Sequence, residues 1–202
     1  MTASSPYIGA SVKRLEDRRF LTGTGRYIDD VKLPDMAVMA IYRSPHAHAR
    51  INSIDLAATR AVPGVIDAFC ATDIDMDLPV IPLRLAPFDG FERFLQRPIA
   101  QDKVRFVGEP VAVVIASDRY IAEDALDLIE VDFAPLPAVT SVDQAVSGEI
   151  LIHEDAGENM GTRYTVGRGD TDDAFSGAPY TRRERFTTNR HGAVPMLSLI
   201  HI

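Results

Sequence analysis

The sequence predicts a mixed α+β fold, on three observations. The first is the run Phe106–Val139, FVGEPVAVVIASDRYIAEDALDLIEVDFAPLPAV, which reads as turn, strand, helix, strand and a proline-bounded exit. The second is a pair of apolar runs upstream, Met36–Tyr42 and Val65–Ala71, which read as buried strands set between turn-forming residues. The third is composition. With 46% hydrophobic and 25% charged residues in 202, the chain is an ordinary globular one, long enough for one domain and part of another.

In chain order, residues 1–7 carry no pattern and read as unstructured. Arg14–Asp30 is charged and glycine-punctuated, with no clean period. After the strand Met36–Tyr42, Ala49–Asp55 alternates less cleanly, with Ile51 and Ile54 on opposite parity. Asp55 is placed to cap a short helix, Leu56–Ala61, which Pro63-Gly64 terminates ahead of the strand Val65–Ala71. Residues 75–100 are rich in Pro, Leu and Phe without a period, and so long an apolar loop must lie against its own domain or a partner surface.

Within the central run, Gly108 permits positive φ and Pro110 pushes Glu109 towards an extended conformation. Val111–Ala116 is continuously apolar, the pattern of a strand covered on both faces. Ser117 is the expected cap of the next helix, with Asp118 at its positive end. That helix turns Ile121, Ala122, Ala125, Leu128 and Ile129 inward and Arg119, Glu123, Asp124 and Asp127 outward. Val131 and Phe133 share one face of the following strand, which Pro135 and Pro137 end. Beyond it the sequence predicts a helical turn at Ser141–Val146, a short strand at Gly148–Ile152 and an acidic linker with a domain boundary at His153–Gly161. A capped helix at Asp170–Ala178 and a strand at Tyr180–Thr188 follow.

Charge and residue inventory exclude several functions. A net charge of −8 with only one short, acid-interrupted basic run, Arg182-Arg183-Glu184-Arg185, leaves nothing to neutralise successive phosphates. No apolar segment has the length of a membrane span, and MTASSPYIGA lacks a signal-peptide core. Cys70 is the only cysteine, which fits a reducing cytoplasm, and its apolar neighbours make it a buried structural thiol. Thr22-Gly23-Thr24-Gly25 is a loop rather than a phosphate cradle, since no third glycine follows at dinucleotide spacing and no strand precedes it. His46 and His48 would share one face of an extended chain, but two imidazoles without a third ligand make hydrogen-bonding or interface residues, not a zinc site. The adjacent pairs Asp29-Asp30 and Asp172-Asp173 point to different faces and make no acid/base dyad. No nucleophile motif is present. Glu109, held between Gly108 and Pro110, is read first as ordering its loop through backbone hydrogen bonds.

Three blocks in order carry a resemblance. They are RLEDRRFLTGTGRYIDDVKLPDMAVMAIYRSPHAHARI (Arg14–Ile51), AVPGVIDAFCATDI (Ala61–Ile74) and the run around Phe106–Val139. Together the blocks resemble the large subunits of molybdenum hydroxylases, the family of xanthine dehydrogenase, aldehyde oxidase and aerobic carbon monoxide dehydrogenase. The leader is most like the carbon monoxide dehydrogenase-type branch. The resemblance implies an α/β hammerhead domain over residues 20–152, after a leader at 1–19 and before a linker and the start of the molybdopterin-binding domain at 153–196. It further implies an oxidoreductase that inserts a water-derived oxygen into its substrate. The implied cofactor is molybdenum-molybdopterin, in its cytosine dinucleotide form. The implied partners are an iron–sulfur small subunit and an FAD-binding medium subunit, assembled as a dimer of heterotrimers. The family's cofactor and catalytic residues belong to the domain that follows, so the resemblance assigns no catalytic, cofactor-binding or metal residue here, and this polypeptide is expected to be structural and inactive.

Asn189–Met196 resembles the family's entry into the cofactor domain, where glutamate normally follows the proline-methionine pair; here Leu197 follows instead. The last six residues, LSLIHI, match a translated transposon end used in preparing sequencing libraries, so residues 197–202, His201 among them, are expected to be non-native and the coding sequence truncated at Met196. The alternative function is a stand-alone, non-catalytic module that binds a partner protein.

Overall fold

The computed structural model describes residues 11, 13–83 and 90–188. Residues 1–7 and the tail 197–202 lie outside the described residues. The chain divides into two compact units, Asp35–Gly169 and a second made from the segments up to Pro34 and from Asp170 onward.

The larger unit holds two three-stranded sheets. In the first, β5 (Pro110–Ala116) lies between β1 (Val38–Arg43) and β3 (Val65–Cys70). In the second, β2 (Ala49–Asp55) lies between β4 (Lys103–Val104) and β6 (Glu130–Pro135). Every pairing is antiparallel. The strand–helix–strand run at the centre of the sequence is therefore no parallel crossover, because its two strands serve different sheets.

The continuous apolar pattern of β5 has a direct cause. On one face Ala112 and Val114 join Leu56, Ala68, Cys70, Ala125 and Ile129 in a buried cluster beneath helix α3 (Arg119–Leu126). On the other, Val113 packs with Ala71 and Ile99, and with Ile74 and Leu78 beside them. The apolar 75–100 segment thus finds its surface within its own unit, although Val80 and Ile81 remain exposed.

Helix α3 sits close on the sheet because Ala122 and Ala125 face it, both with no exposed surface. Its cap is Asp118, not Ser117: the Asp118 carboxylate accepts from Tyr120 N at 2.8 Å and Ile121 N at 3.4 Å. The Ser117 hydroxyl instead donates to Gly64 O at 3.3 Å. Gly64 has φ +95°, and a Cβ there would come within 2.6 Å of the Ile121 side chain, so glycine serves both the turn and the helix approach. The helix ends at Leu126, which packs inward, and Leu128 is left exposed against expectation. Asp118→Ala is expected to cost about 1 kcal/mol through the lost cap, read by denaturant unfolding, with Asp118→Ser recovering most of it.

Two short helices follow the sequence closely. α2 (Ala57–Arg60) begins where the Asp55 carboxylate accepts from Ala57 N, and α4 (Val142–Ser147) is capped by Ser141. Gly148–Ile152 is not a strand. The Asn159 side chain takes the place of a partner strand, accepting from Ile152 N and donating to Ile150 O. Within the expected linker His153–Gly161, Ala156 and Glu154 are held by the side chains of Arg93 and Lys103.

In the second unit, Arg14–Asp30 is more ordered than its lack of period suggested. It holds α1 (Asp17–Leu21) and a 3-10 turn at Ile28–Asp30, with the Phe20 and Tyr27 rings stacked at 6.2 Å. Helix α5 (Thr171–Ser176) is capped by Asp170 as expected. Tyr180–Thr188 forms no strand: it is exposed throughout and has no sheet partner among the described residues.

Candidate functional site

The polar residues of the larger unit gather beside the turn that leads into β5. Gly108 has φ +89°, donates its N–H to Ser44 O at 2.8 Å, and its carbonyl accepts from Arg43 Nη1 at 2.9 Å. Glu109 then turns inward and is 4% exposed. Its carboxylate accepts from Arg105 N at 2.5 Å, and Phe106 N points at it as well. Burial raises its pKa above the ordinary carboxylate value, against the opposing pull of the Arg105 and Phe106 amides and the Arg105 charge. The carboxylate therefore organises the loop, as the sequence suggested.

Lys103 lies in the two-residue strand β4, with only 4% of its side chain exposed. Its ammonium is held by both carboxylate oxygens of Glu154, on a 3-10 turn (Glu154–Ala156), the Oε2 contact being 2.6 Å. That hydrogen bond holds the Glu154 pKa below its ordinary value, against a smaller opposing effect of burial. Next to it, His153 meets the Phe94 ring at 5.4 Å. Burial lowers the His153 pKa, and the Arg105 charge lowers it further.

Because the folded pKa of Glu154 is depressed, its contribution to stability is present above the ordinary carboxylate value and is lost as pH falls through the lower folded one. Thermal unfolding from pH 6 to pH 3 should show this loss in the native chain and a correspondingly smaller loss in Glu154→Gln.

The histidine pair separates. His48 is 4% exposed; its Nδ1 donates to Pro137 O at 2.7 Å, while Nε2 is buried without a hydrogen-bond partner. His46 packs its ring on Phe133 at 4.9 Å, on a segment that bends rather than running extended. Cys70 is buried, with Sγ 3.3 Å from Asp73 Oδ2 and 3.2 Å from Thr72 Oγ1. The Asp29-Asp30 and Asp172-Asp173 pairs stay apart in role. Asp30 accepts from Tyr27 N, and Asp173 N donates to the capping Asp170.

A cleft of about 180 Å³ opens here, lined by Arg97, Arg105, Glu109, Asp102, His153 and Asp155 among others. Its guanidiniums are engaged by the fold: Arg97 Nη1 reaches Leu78 O at 2.9 Å and Arg105 Nε reaches Ile152 O at 3.2 Å. A larger, open hollow of about 640 Å³ in the second unit is walled by exposed residues, where Arg182 pairs with Glu184.

Among the described residues no group of three or more His, Cys, Asp or Glu is placed to hold a metal ion. The buried Cys70 thiol donates to the Asp73 carboxylate and lies beside the Thr72 hydroxyl, a structural contact within its own turn. No described helix is long and apolar enough to cross a membrane. No local sequence pattern marks Lys103, Glu154, Arg105 or His153 as partners. The Lys103–Glu154 contact spans 51 residues, and no local pattern announces it.

Residues 22–137 match the family model described as aldehyde oxidase and xanthine dehydrogenase, a/b hammerhead domain. The chain is 38% identical over 193 residues to the 6-hydroxypseudooxynicotine dehydrogenase complex subunit gamma of Paenarthrobacter nicotinovorans, covering 94% of this chain and 24% of that protein. It is 36% identical over 203 residues to the carbon monoxide dehydrogenase large chain of Afipia carboxidovorans, with the same two coverages. Quinoline 2-oxidoreductase from Pseudomonas putida 86 superposes with a TM-score of 0.59 at 44% identity, over 73% of this chain and 19% of that one. The chain thus spans about a quarter of the length of the curated relatives it matches.

Proposed function

The chain belongs to the family of molybdenum hydroxylase large subunits and carries their α/β hammerhead domain, and from that membership we propose that it is the structural front of such a subunit. The parent enzyme is an oxidoreductase that hydroxylates its substrate with oxygen derived from water. Its cofactor is molybdenum-molybdopterin in the cytosine dinucleotide form, and it works in the cytoplasm. It passes electrons to an iron–sulfur small subunit and an FAD-binding medium subunit, within a dimer of heterotrimers. The observation that carries this reading is identity of 36–38% sustained over 94% of the chain, against proteins named as subunit gamma of a dehydrogenase complex and as a dehydrogenase large chain.

The described residues beside Glu109 and His48 do not fit the cofactor itself. The cleft beside Glu109 is smaller than the 300 Å³ or so at which small-molecule sites begin. Its cations already hold backbone carbonyls, and the buried Nε2 of His48 has no second or third ligand grouped with it among the described residues. No chemical step is therefore assigned to this chain. Its residues 1–19, 20–152 and 153–196 are proposed as leader, hammerhead domain, and linker with the start of the cofactor domain.

Metal analysis of the purified 202-residue chain, made in a host that assembles the cofactor, tests this division. Molybdenum should fall far below one atom per chain. Stoichiometric molybdenum would overturn it.

A further inference from the structure

Residues 150–161 lie across the body of the larger unit, and their polar attachments to segment 93–105 share one chemistry. Three cations of the segment 93–105 each grip a carbonyl or a carboxylate of the crossing segment. Arg93 Nη1 donates to Ala156 O at 2.8 Å, and its Nη2 lies 3.6 Å from Glu158. Arg105 Nε donates to Ile152 O at 3.2 Å. Lys103 donates to both oxygens of Glu154. Apolar burial accompanies these grips: Ala156 is buried, Ile150, Leu151, Ile152 and Met160 are half-buried, His153 meets the edge of Phe94, and Gly161 approaches Phe91 so closely that a Cβ would come within 2.8 Å of the ring. Asn159 braces the segment internally through Ile150 O and Ile152 N, and also ties it to helix α4 by donating to Ala145 O at 3.3 Å.

These grips differ in kind. Arg93 and Arg105 hydrogen-bond neutral carbonyls, and the Arg93 ion pair to Glu158 is a looser one at 3.6 Å between two half-exposed side chains. Only Lys103–Glu154 joins two full charges by paired hydrogen bonds, and there one partner is almost wholly buried while the other is 49% exposed. A lysine so buried needs its counter-charge, whereas the exposed glutamate can leave for water. We propose that residues 150–161 are a latch: a strap that opens from the hammerhead unit as one piece, with the Lys103–Glu154 pair as its catch.

The strap carries the chain out of the hammerhead sheets towards residue 169, so its state fixes the point from which the following segment departs. The latch rests on this geometry alone and does not depend on the enzyme assignment.

Amide hydrogen exchange on the whole chain tests it, with Glu154→Gln and Lys103→Met compared with the native sequence. Both variants remove the ion pair; Glu154→Gln leaves the buried ammonium with one amide oxygen and no counter-charge, whereas Lys103→Met leaves no buried charge at all. The expected result is exchange about tenfold or more faster across residues 150–159 in both, the loss of a charge-assisted hydrogen-bonded pair, with the amides of β5 and α3 unchanged. The latch is overturned if Lys103→Met leaves strap exchange at the native rate. It is equally overturned if the strap loses protection only together with β5, since the segment would then open with the whole unit. Should Glu154→Gln fail to fold, Lys103→Met decides alone.

Discussion

Val114→Asp abolishes the folded state. Val114 has no exposed surface and lies at the middle of the central strand, paired with Ala40 on one side and Ala68 on the other. Its side chain enters the cluster of Leu56, Ala68, Cys70, Ala125 and Ile129, where no cationic side chain is among the members. An unpaired carboxylate there costs more than the 4–5 kcal/mol that marks the extreme of single substitutions. Val114→Ala, which removes two methyl groups, costs about 2 kcal/mol. Circular dichroism and denaturant titration read both. A cooperative transition in Val114→Asp comparable to the native one would contradict the placement of β5 at the centre of the core.

The second large effect is at Glu109. Truncation to alanine leaves Arg105 N and Phe106 N without their acceptor in a site that is 4% exposed. Such unsatisfied donors cost about 1–3 kcal/mol each, so the loop should lose about 2–6 kcal/mol. Glutamine keeps an acceptor oxygen and should remain folded. The pH response separates the two substitutions further. Because burial raises the folded pKa of Glu109, its contribution is fully present below the ordinary carboxylate value and is lost as pH rises through the raised one. Glu109→Gln removes that dependence, so its stability should decline less than the native chain's across the same interval. An alanine variant as stable as the native chain would show that the carboxylate does not order the loop.

Much of the larger unit was legible because its determinants are local or periodic. The apolar run of β5, the inward Ala122 and Ala125 of α3, the alternation of Val131 and Phe133, and the caps at Ser141 and Asp170 each leave a mark within a few residues. So did the role of Glu109, between a glycine with positive φ and a proline. What the sequence concealed depends on distant partners. Nothing near Lys103 reveals that Glu154 will meet it, and nothing near Ile150 shows that Asn159 will replace a strand. Gly148–Ile152 and Tyr180–Thr188 have strand-like composition, but a strand needs a neighbour, and neither has one among the described residues. Ser117 and Asp118 are both good caps in isolation. Gly64 decides between them, because its carbonyl takes the serine hydroxyl. Family membership is not written in these residues singly; three ordered blocks carry it together.

Long-read sequencing of the source locus through codon 196 tests the central claim most directly. The account predicts an open frame with glutamate after Met196, continuing into a long molybdopterin-binding domain. A genomic frame that reads LSLIHI and then stops would contradict it, and would make this chain a short protein whose binding partner remains to be found.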